Sequence, residues 1–339
     1  MDLKKLFQIV CGLLITAGAV LFFIKTVDLK QVGPALGRID ALTVLLAAFF
    51  CIFSLYLRGV RWRLLLPSDP SANPRGLFAL CSISFMVNNL LPARVGEAAR
   101  VVLAYKRNGY SLHVSIGSVL AERVADMFCY SLFILIPYFT YRELLAGRSI
   151  LSGFPLHRLI ELTLLLAVAV LLILVLCFAL LKKFDRIEAA LVRRLRIFEG
   201  GVRHVMRLVR ESTAFLADAR KCVAVFLLSP VVIGCYTLIF LLIARSVGLE
   251  VTWLQALFTA GFMALGAAIP SSPGYVGTLH ALVLQGLLLI GLTSAKAGAV
   301  AIIFHAAGYI STTALGLWFF FRADLRLRDL PARPPVKDE

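Results

Sequence analysis

The sequence has little charge for its length and is poor in acidic residues. Of its 339 residues 16% are charged, with 19 acidic against 35 basic, whereas about a quarter of an ordinary globular chain is charged. It also has no Walker loop, no Gly-x-Gly-x-x-Gly, no Gly-x-Ser-x-Gly and no His-Glu-x-x-His, which argues against nucleotide, serine-hydrolase and zinc-protease chemistry. The seven cysteines form no Cys-x-x-Cys pair and have no metal-ligand spacing. We therefore expect reduced structural thiols, no metal, no cofactor and no enzymatic activity.

Apolar residues dominate what is present. They make up 60% of the chain, the mean hydropathy is +0.90, and only lipid solvates such a composition over its whole length. The net charge of +16 is divided into short blocks between apolar segments, a pattern that marks membrane topology and not a nucleic-acid-binding face. The composition predicts an all-α, polytopic membrane protein with one membrane domain, residues 1–325, and a cytoplasmic tail, residues 326–339.

Six apolar segments are about as long as the roughly 20 residues that a membrane-spanning helix needs. They are Leu6–Ile24, Ala41–Leu57, Val114–Phe139, Leu159–Leu181, Cys222–Ile243 and Ala297–Phe321. Three further apolar segments are interrupted: Leu77–Leu91, Leu254–Ile269 and Leu279–Leu292.

Positive charge in the loops predicts the orientation. Residues 182–221 contain eleven Lys or Arg against five acidic residues, so we expect this segment, and both termini, on the cytoplasmic side of the inner (plasma) membrane. The basic segments on either side of Leu77–Leu91 are then both cytoplasmic, and residues 253–295 must likewise return to the outer side. These interrupted stretches are predicted to form two re-entrant, broken-helix elements, which are tolerated where they do not face lipid.

The two broken elements have opposite directions, which predicts an inverted repeat of residues 41–139 and 222–321. In proteins built this way the binding site lies near the bilayer midplane, between the repeats. Transport would follow from rocking of the two halves.

Residues 184–220 contain a different pattern. Apolar residues recur at intervals of three and four from Phe184 to Val209, with arginines on the other faces. This predicts one amphipathic cytoplasmic helix, which lies either on the anionic leaflet or against the rest of the protein as a linker.

A cluster of charges follows the first broken element and continues into the next span. Its members are Arg94, Glu97, Arg100, Glu122, Arg123 and Asp126. Charges inside a membrane are costly and usually functional, and guanidinium groups suit phosphate oxygens. We therefore predict that the three arginines hold an anionic headgroup while the three acids orient them. The alternative is an internally neutral network, three arginines with three acids, that only fixes the fold.

The second broken element contains Ser271, Ser272, Gly274 and Gly277, around two prolines. Backbone amides at the start of a half-helix bind anions well, so these residues are a second predicted part of the substrate site. The alternative is a simple hinge.

Four further polar residues lie in or beside the broken elements. His280 and His305 are candidates for a proton relay, or else hydrogen-bonded packing residues. Asn88 and Asn89 are predicted to cap the backbone of the first break and so to line the site.

Two segments resemble a known family. Residues 88–100, Asn-Asn-Leu-Leu-Pro-Ala-Arg-Val-Gly-Glu-Ala-Ala-Arg, with Ala-Glu-Arg-Val-Ala-Asp at 121–126, resemble the flippase-like superfamily named after the transmembrane region of lysylphosphatidylglycerol synthase. Residues 269–278 and Phe304-His305 are similar to its second signature, although Thr278 stands where related chains often have an acid nearby.

The resemblance implies a membrane domain that moves a lipid between leaflets. It implies central roles for Pro92, Arg94, Gly96, Glu97 and the Glu122-Arg123-x-x-Asp126 motif. The aminoacyl-transfer domain of the full synthases is not found, so lysine transfer is not expected.

The predicted function is a flippase or transporter for an anionic phospholipid or lipid-linked headgroup, driven by an ion gradient or by the lipid gradient. Its expected partners are membrane lipid and a lipid-synthesis enzyme. The alternatives are a membrane enzyme and a non-transporting accessory subunit for the synthesis of lipids or lipid-linked glycans.

Overall fold

The computed structural model describes residues 17–18, 20–21, 23–27, 33–34, 37–67, 74–91, 94–150, 153–180, 183–266, 272–292 and 294–323. The predicted all-α class is confirmed, since the described strands are Ser149–Ile150 and Phe154–Pro155, which pair as a two-residue antiparallel ladder. Most of the predicted span Leu6–Ile24 and the whole tail after residue 323 lie outside the described residues.

Eleven helices make up most of the described chain. They are α1 (Ala41–Leu65), α2 (Pro74–Leu90), α3 (Val95–Asn108), α4 (Leu112–Thr140), α5 (Leu156–Leu180), α6 (Phe184–Arg194), α7 (Glu199–Thr213), α8 (Ala219–Ser246), α9 (Trp253–Gly266), α10 (Thr278–Leu289) and α11 (Ser294–Arg322). A single helical turn, Arg142–Leu145, follows α4, and 3₁₀ turns lie at Arg196–Phe198, Ala214–Ala217 and Pro273–Tyr275.

Four of these helices, α1, α5, α8 and α11, are long and apolar enough to cross a membrane. The predicted span Val114–Phe139 corresponds to α4, which is 29 residues long but contains the charged residues Glu122, Arg123 and Asp126. Helix α1 begins where it was predicted to begin, at Ala41, and an Asp40 side chain caps it by accepting a hydrogen bond from the Thr43 amide. It continues eight residues past its predicted end to Leu65, which has consequences for the site.

The two broken elements are pairs of short helices that pack on each other. Helices α2 and α3 have 17 and 14 residues, and α9 and α10 have 14 and 12, all shorter than a full span. Each half therefore contains one pair of short helices and has the order long, short, short, long; the re-entrant path through the membrane and the inverted repeat stay predictions.

The position of the first break was predicted wrongly. Residues 77–91 do not fold back on themselves, since α2 runs unbroken to Leu90 and the next helix, α3, begins at Val95. The basic segment from Arg94 to Arg107, predicted as a cytoplasmic connection, is mostly helix α3, packed on α2 and α4. Arg100 of this helix is buried, and its charge is tolerated there because Glu122 on α4 neutralises it.

A glycine permits the close approach of α3 to α2. A Cβ on Gly96 would lie 1.9 Å from the Ser84 carbonyl oxygen and 2.7 Å from the Asn88 Oδ1, distances that no side chain tolerates. The first broken element therefore requires glycine at this position.

Replacing this glycine should loosen the element. We expect Gly96→Ala to destabilise the protein by about 2 kcal/mol, the usual range for overpacking, measured by thermal unfolding of detergent-purified protein. The matched control is Gly200→Ala, since a Cβ there meets nothing within 4 Å. Equal melting temperatures for the two variants would contradict the close packing of α2 and α3.

The most extensive helix interfaces join the two halves of the chain. Helix α1 packs along α8, and α2 packs along α11. Buried apolar residues fill the first of these interfaces, with Leu57 of α1 against Val232 and Cys235 of α8. The six described cysteines are unpaired, as predicted: Cys51, Cys81, Cys129, Cys177, Cys222 and Cys235.

The predicted single amphipathic helix is instead two helices, α6 and α7, separated by a 3₁₀ turn at Arg196–Phe198. The apolar repeat of three and four continues through this turn, so periodicity alone could not locate the break. Gly200 and Gly201, which are weak helix formers, are the sequence signal beside it.

Candidate functional site

Two carboxylates on α4 form the centre of the charge cluster. Glu122 and Asp126 are four residues apart and therefore on one face of the helix, as predicted, and each is only 1% exposed. Ionised groups this deeply buried require partners of opposite charge. Every such partner in the described structure is an arginine.

Two of these arginines, Arg58 and Arg61 on α1, were not predicted as site residues. Arg61 is fully buried, with its Nη1 2.6 Å from the Asp126 Oδ1 and its Nη2 3.2 Å from the Glu122 Oε1. Arg58 lies 3.5 Å from an oxygen of each carboxylate. From the sequence, both were predicted to be loop charges at the cytoplasmic end of a span. They are instead inside the protein because α1 continues to Leu65.

Arg100 on α3 is the third buried arginine. Its Nη1 lies 2.9 Å from the Glu122 Oε2, and its guanidinium stacks 4.6 Å over the ring of Trp62. At 3% exposure it is enclosed by protein. The prediction that Arg100 contacts a headgroup directly does not fit this position, and its contacts join α3 to α1 and α4.

The remaining members of the cluster form an outer, partly exposed layer. Arg94, Glu97 and Arg123 are 32%, 27% and 24% exposed. The Glu97 Oε1 lies 3.3 Å from Arg94 and 3.7 Å from Arg123. Arg123 also reaches inward to Glu122 at 3.0 Å and Asp126 at 3.2 Å. The structure thus brings together all six predicted cluster residues, in two layers.

The cluster is not electrically neutral. Five arginines share three carboxylates, so the cluster has a net excess of two positive charges although each arginine contacts an acid. Each of the five arginines also has a buried Nε–H with no hydrogen-bond acceptor in the described part of the chain. The neutral count of the alternative interpretation, three arginines with three acids, is therefore wrong because it omitted Arg58 and Arg61; whether the cluster binds a headgroup or only fixes the fold stays a prediction. An anion with several oxygens would complete the outer layer.

Asn88 and Asn89, at the end of α2, have different contacts. Asn88 Oδ1 accepts a hydrogen bond from the Gly96 amide at 2.8 Å, which is the predicted capping contact across the break. Asn89 Nδ2 donates to the hydroxyls of Thr312 and Thr313 at 2.9 and 2.8 Å. Asn89 therefore joins α2 to α11 and does not cap the break.

The second broken element meets the first beside this outer layer. A Cβ on Gly274 would lie 3.1 Å from the Asn89 carbonyl oxygen, and the Tyr275 side chain lies near Arg94, Glu97 and Arg123. Arg94 and Tyr275 are the two described non-glycine residues with positive φ, 55° and 58°. Such backbone is strained for these residue types and is concentrated at functional sites.

The backbone amides predicted to bind an anion in this second turn are partly occupied. The Gly277 amide, one of those predicted, faces the His280 Nδ1 at 3.4 Å, and the neighbouring Tyr275 amide donates to the Ser272 carbonyl at 3.0 Å. Ser272 Oγ donates to the Val276 carbonyl, and Ser271 lies outside the described residues. These contacts favour the hinge interpretation of the turn over direct anion binding.

His280 and His305 lie in a chain of hydrogen bonds in which the donor and acceptor of each bond can be assigned. The Gly274 carbonyl, 2.7 Å from the His305 Nε2, can only accept, so that nitrogen carries the proton. The His305 Nδ1 then accepts from the His280 Nε2 at 2.9 Å, and the His280 Nδ1 accepts from the Gly277 amide. Both rings are satisfied as neutral imidazoles, and both ends of the chain are backbone groups of one turn. This arrangement supports the packing interpretation, and the proton relay stays a prediction.

Among the described residues no group of three or more His, Cys, Asp or Glu side chains lies close enough together to hold a metal ion. The acids of the cluster are covered by guanidinium groups instead. What the arrangement can do chemically is bind an anion at a partly exposed basic surface while its inner charges remain paired.

Comparison with known proteins gives two matches. A family model described as "Lysylphosphatidylglycerol synthase TM region" matches residues 9–316. The curated protein "Glycosyltransferase AglD" of Haloferax volcanii is 32% identical over 120 residues, which are 35% of this chain and 19% of that protein. The match therefore spans about a fifth of the length of this relative. No solved structure matches the chain.

Proposed function

Because the chain belongs to the family described as the transmembrane region of lysylphosphatidylglycerol synthase, we propose that it binds the phosphate of an anionic lipid or lipid-linked substrate and moves that headgroup between leaflets. It is a multi-pass membrane protein. Its place in the inner membrane, with residues 182–221 and both termini cytoplasmic, is part of the proposal and rests on the positive-inside pattern.

The observation that carries the proposal is the excess of two positive charges in the cluster, one of which belongs to the partly exposed outer layer of Arg94, Glu97 and Arg123. A buried or half-buried charge without a counter-ion is costly in a membrane protein, so this arrangement favours an anion. A phosphate group supplies one to two negative charges and several acceptor oxygens. It can therefore bind the partly exposed guanidinium groups of Arg94 and Arg123.

The position of Tyr275 supports a site that both broken elements share. Its side chain, from the second half of the chain, lies near Arg94 and Arg123. A headgroup between these residues would contact both broken elements at once. Binding would then change how the two elements meet, and a transporter needs such coupling.

The names of the family and of the relative favour a second candidate. Both belong to enzymes, a synthase and a glycosyltransferase. The chain would then be a membrane component of lipid or lipid-linked glycan synthesis that binds the same headgroup without transporting it. In neither case do we assign a covalent step to the charge cluster, since its acids are held by arginines.

Lipid identification and transport can be measured on the same preparation. We expect gently purified protein to retain anionic or phosphate-linked lipid at several times its proportion in the membrane, measured by mass spectrometry. In liposomes that contain fluorescent phosphatidylglycerol, the protein should also increase the rate at which label that is protected from dithionite becomes accessible to it. Retention without transport would support the accessory candidate. No enrichment of any anionic lipid would contradict headgroup binding altogether.

A further inference from the structure

Helices α6 and α7 form a hairpin between two candidate membrane spans. The chain leaves α5 at Leu180 and enters α8 at Ala219, so the hairpin begins and ends at one membrane surface. Arg210 of α7 forms an ion pair with Asp185 of α6 and lies 3.8 Å from Glu188. These contacts hold the two helices side by side near their membrane-proximal ends. The connection at the other end, residues 193–198, is here named the hairpin tip.

The two ends of the hairpin have different surroundings. Near the spans, Phe184, Met206 and Thr213 are buried, and α7 packs against α4 so closely that a Cβ on Gly117 would lie 2.7 Å from the Glu211 Cβ. At the tip, Leu195, Ile197 and Phe198 are 43%, 94% and 68% exposed. The apolar stripe is therefore covered by protein only at one end.

Basic side chains surround the exposed apolar tip. Arg193, Arg194 and Arg196 are exposed and form no ion pair within the part of the chain that the structure describes. Large apolar side chains beside unpaired arginines are typical of segments that lie in the headgroup region of an anionic leaflet. The apolar groups enter the acyl boundary while the guanidiniums bind lipid phosphates.

We propose that the hairpin tip is a membrane anchor, which inserts Ile197 and Phe198 into the anionic leaflet from which α5 and α8 emerge. Charge complementarity and the short tether to both spans identify lipid as the occupant. The anchor is separate from the headgroup site and does not depend on transport. Because α7 packs on α4, which carries Glu122 and Asp126, the anchor would also hold the site in position relative to the membrane surface.

Fluorescence quenching by brominated lipid tests the insertion on the full chain. Ile197→Trp adds one emitter to the three native tryptophans, and the control Ala190→Trp adds one at an exposed position of α6. In nanodiscs that contain brominated phosphatidylglycerol, we expect the emission added at 197 to be quenched at least twofold more than that added at 190. Equal quenching would overturn the proposal.

The role of the arginines requires a second variant. Changing Arg193, Arg194 and Arg196 together to glutamine, in the Ile197→Trp background, should lower the quenching by phosphatidylglycerol at least twofold. In nanodiscs of brominated phosphatidylcholine, the protein with its arginines should be quenched less than in phosphatidylglycerol. Equal quenching in both lipids, or quenching unaffected by the arginine changes, would contradict an anionic anchor. If the tip is shielded from solvent in native membranes but not in nanodiscs, its partner is a protein, and this result would also overturn the proposal.

Discussion

Glu122→Gln should strongly lower the free energy of unfolding of the protein. The Glu122 carboxylate lies within 3.5 Å of four guanidiniums, those of Arg58, Arg61, Arg100 and Arg123. Glutamine retains the size of the side chain but removes the charge. Breaking a buried ion pair from one side typically costs about 3–5 kcal/mol because an uncompensated charge remains. We expect a loss of this order, seen as a large fall in melting temperature or as a failure to purify monodisperse protein.

The matched control is Glu97→Gln. Glu97 is 27% exposed and its arginine contacts are 3.3 and 3.7 Å, so solvent screens its charge and the expected loss is about 1 kcal/mol or less. Both variants are measured in the same detergent. Similar melting temperatures for the two would show that the inner layer does not hold α1, α3 and α4 together.

Arg123→Gln should abolish most transport while the fold survives. Its guanidinium belongs to the outer layer, and without it Glu122 and Asp126 still have Arg58 and Arg61, with Arg100 also on Glu122. Hydrogen bonds to charged groups contribute about 1.5–3 kcal/mol each, and each 1.4 kcal/mol is a factor of ten. We therefore expect the rate of labelled phosphatidylglycerol movement to fall on the order of 10- to 100-fold.

Two controls accompany this measurement. Arg158→Gln removes a 64% exposed arginine outside the cluster and should leave the rate unchanged. Arg123→Lys retains the charge but not the planar fork, so its rate should lie between those of wild type and glutamine. If the Arg123→Gln protein is folded and transports at the wild-type rate, the headgroup does not bind at this site.

The acidic centre of the site could be predicted from the sequence, but its basic partners only in part. Glu122, Arg123 and Asp126 stand out because charge inside an apolar span is rare. Arg58 and Arg61 follow an apolar run and look like ordinary loop charges. Their spacing of three, on one helix face, beside two acids that needed partners, was the available signal.

The broken elements, too, could be predicted from the sequence only in part. The interruptions near Pro92 and around Pro273 predict where helices cannot continue, and charge in the loops predicts that the chain must turn back. The returning helix α3 was missed because its Glu97, Arg100, Lys106 and Arg107 make it resemble a loop. Only the contact of Arg100 with Glu122 explains how such a segment is accommodated among other helices, and that contact depends on tertiary structure.

The interleaved packing of α1 with α8 and of α2 with α11 limits how the molecule can move. Two repeats that rock past each other as rigid lobes, as in the mechanism predicted from the sequence, would have to open the largest interfaces of the fold, and their close-packed interiors resist gradual deformation. The turns that contain the strained residues Arg94 and Tyr275 belong to neither of these two interfaces. Alternating access in such a frame would be a local event at the meeting point of Arg94 and Tyr275, inside a scaffold that stays still.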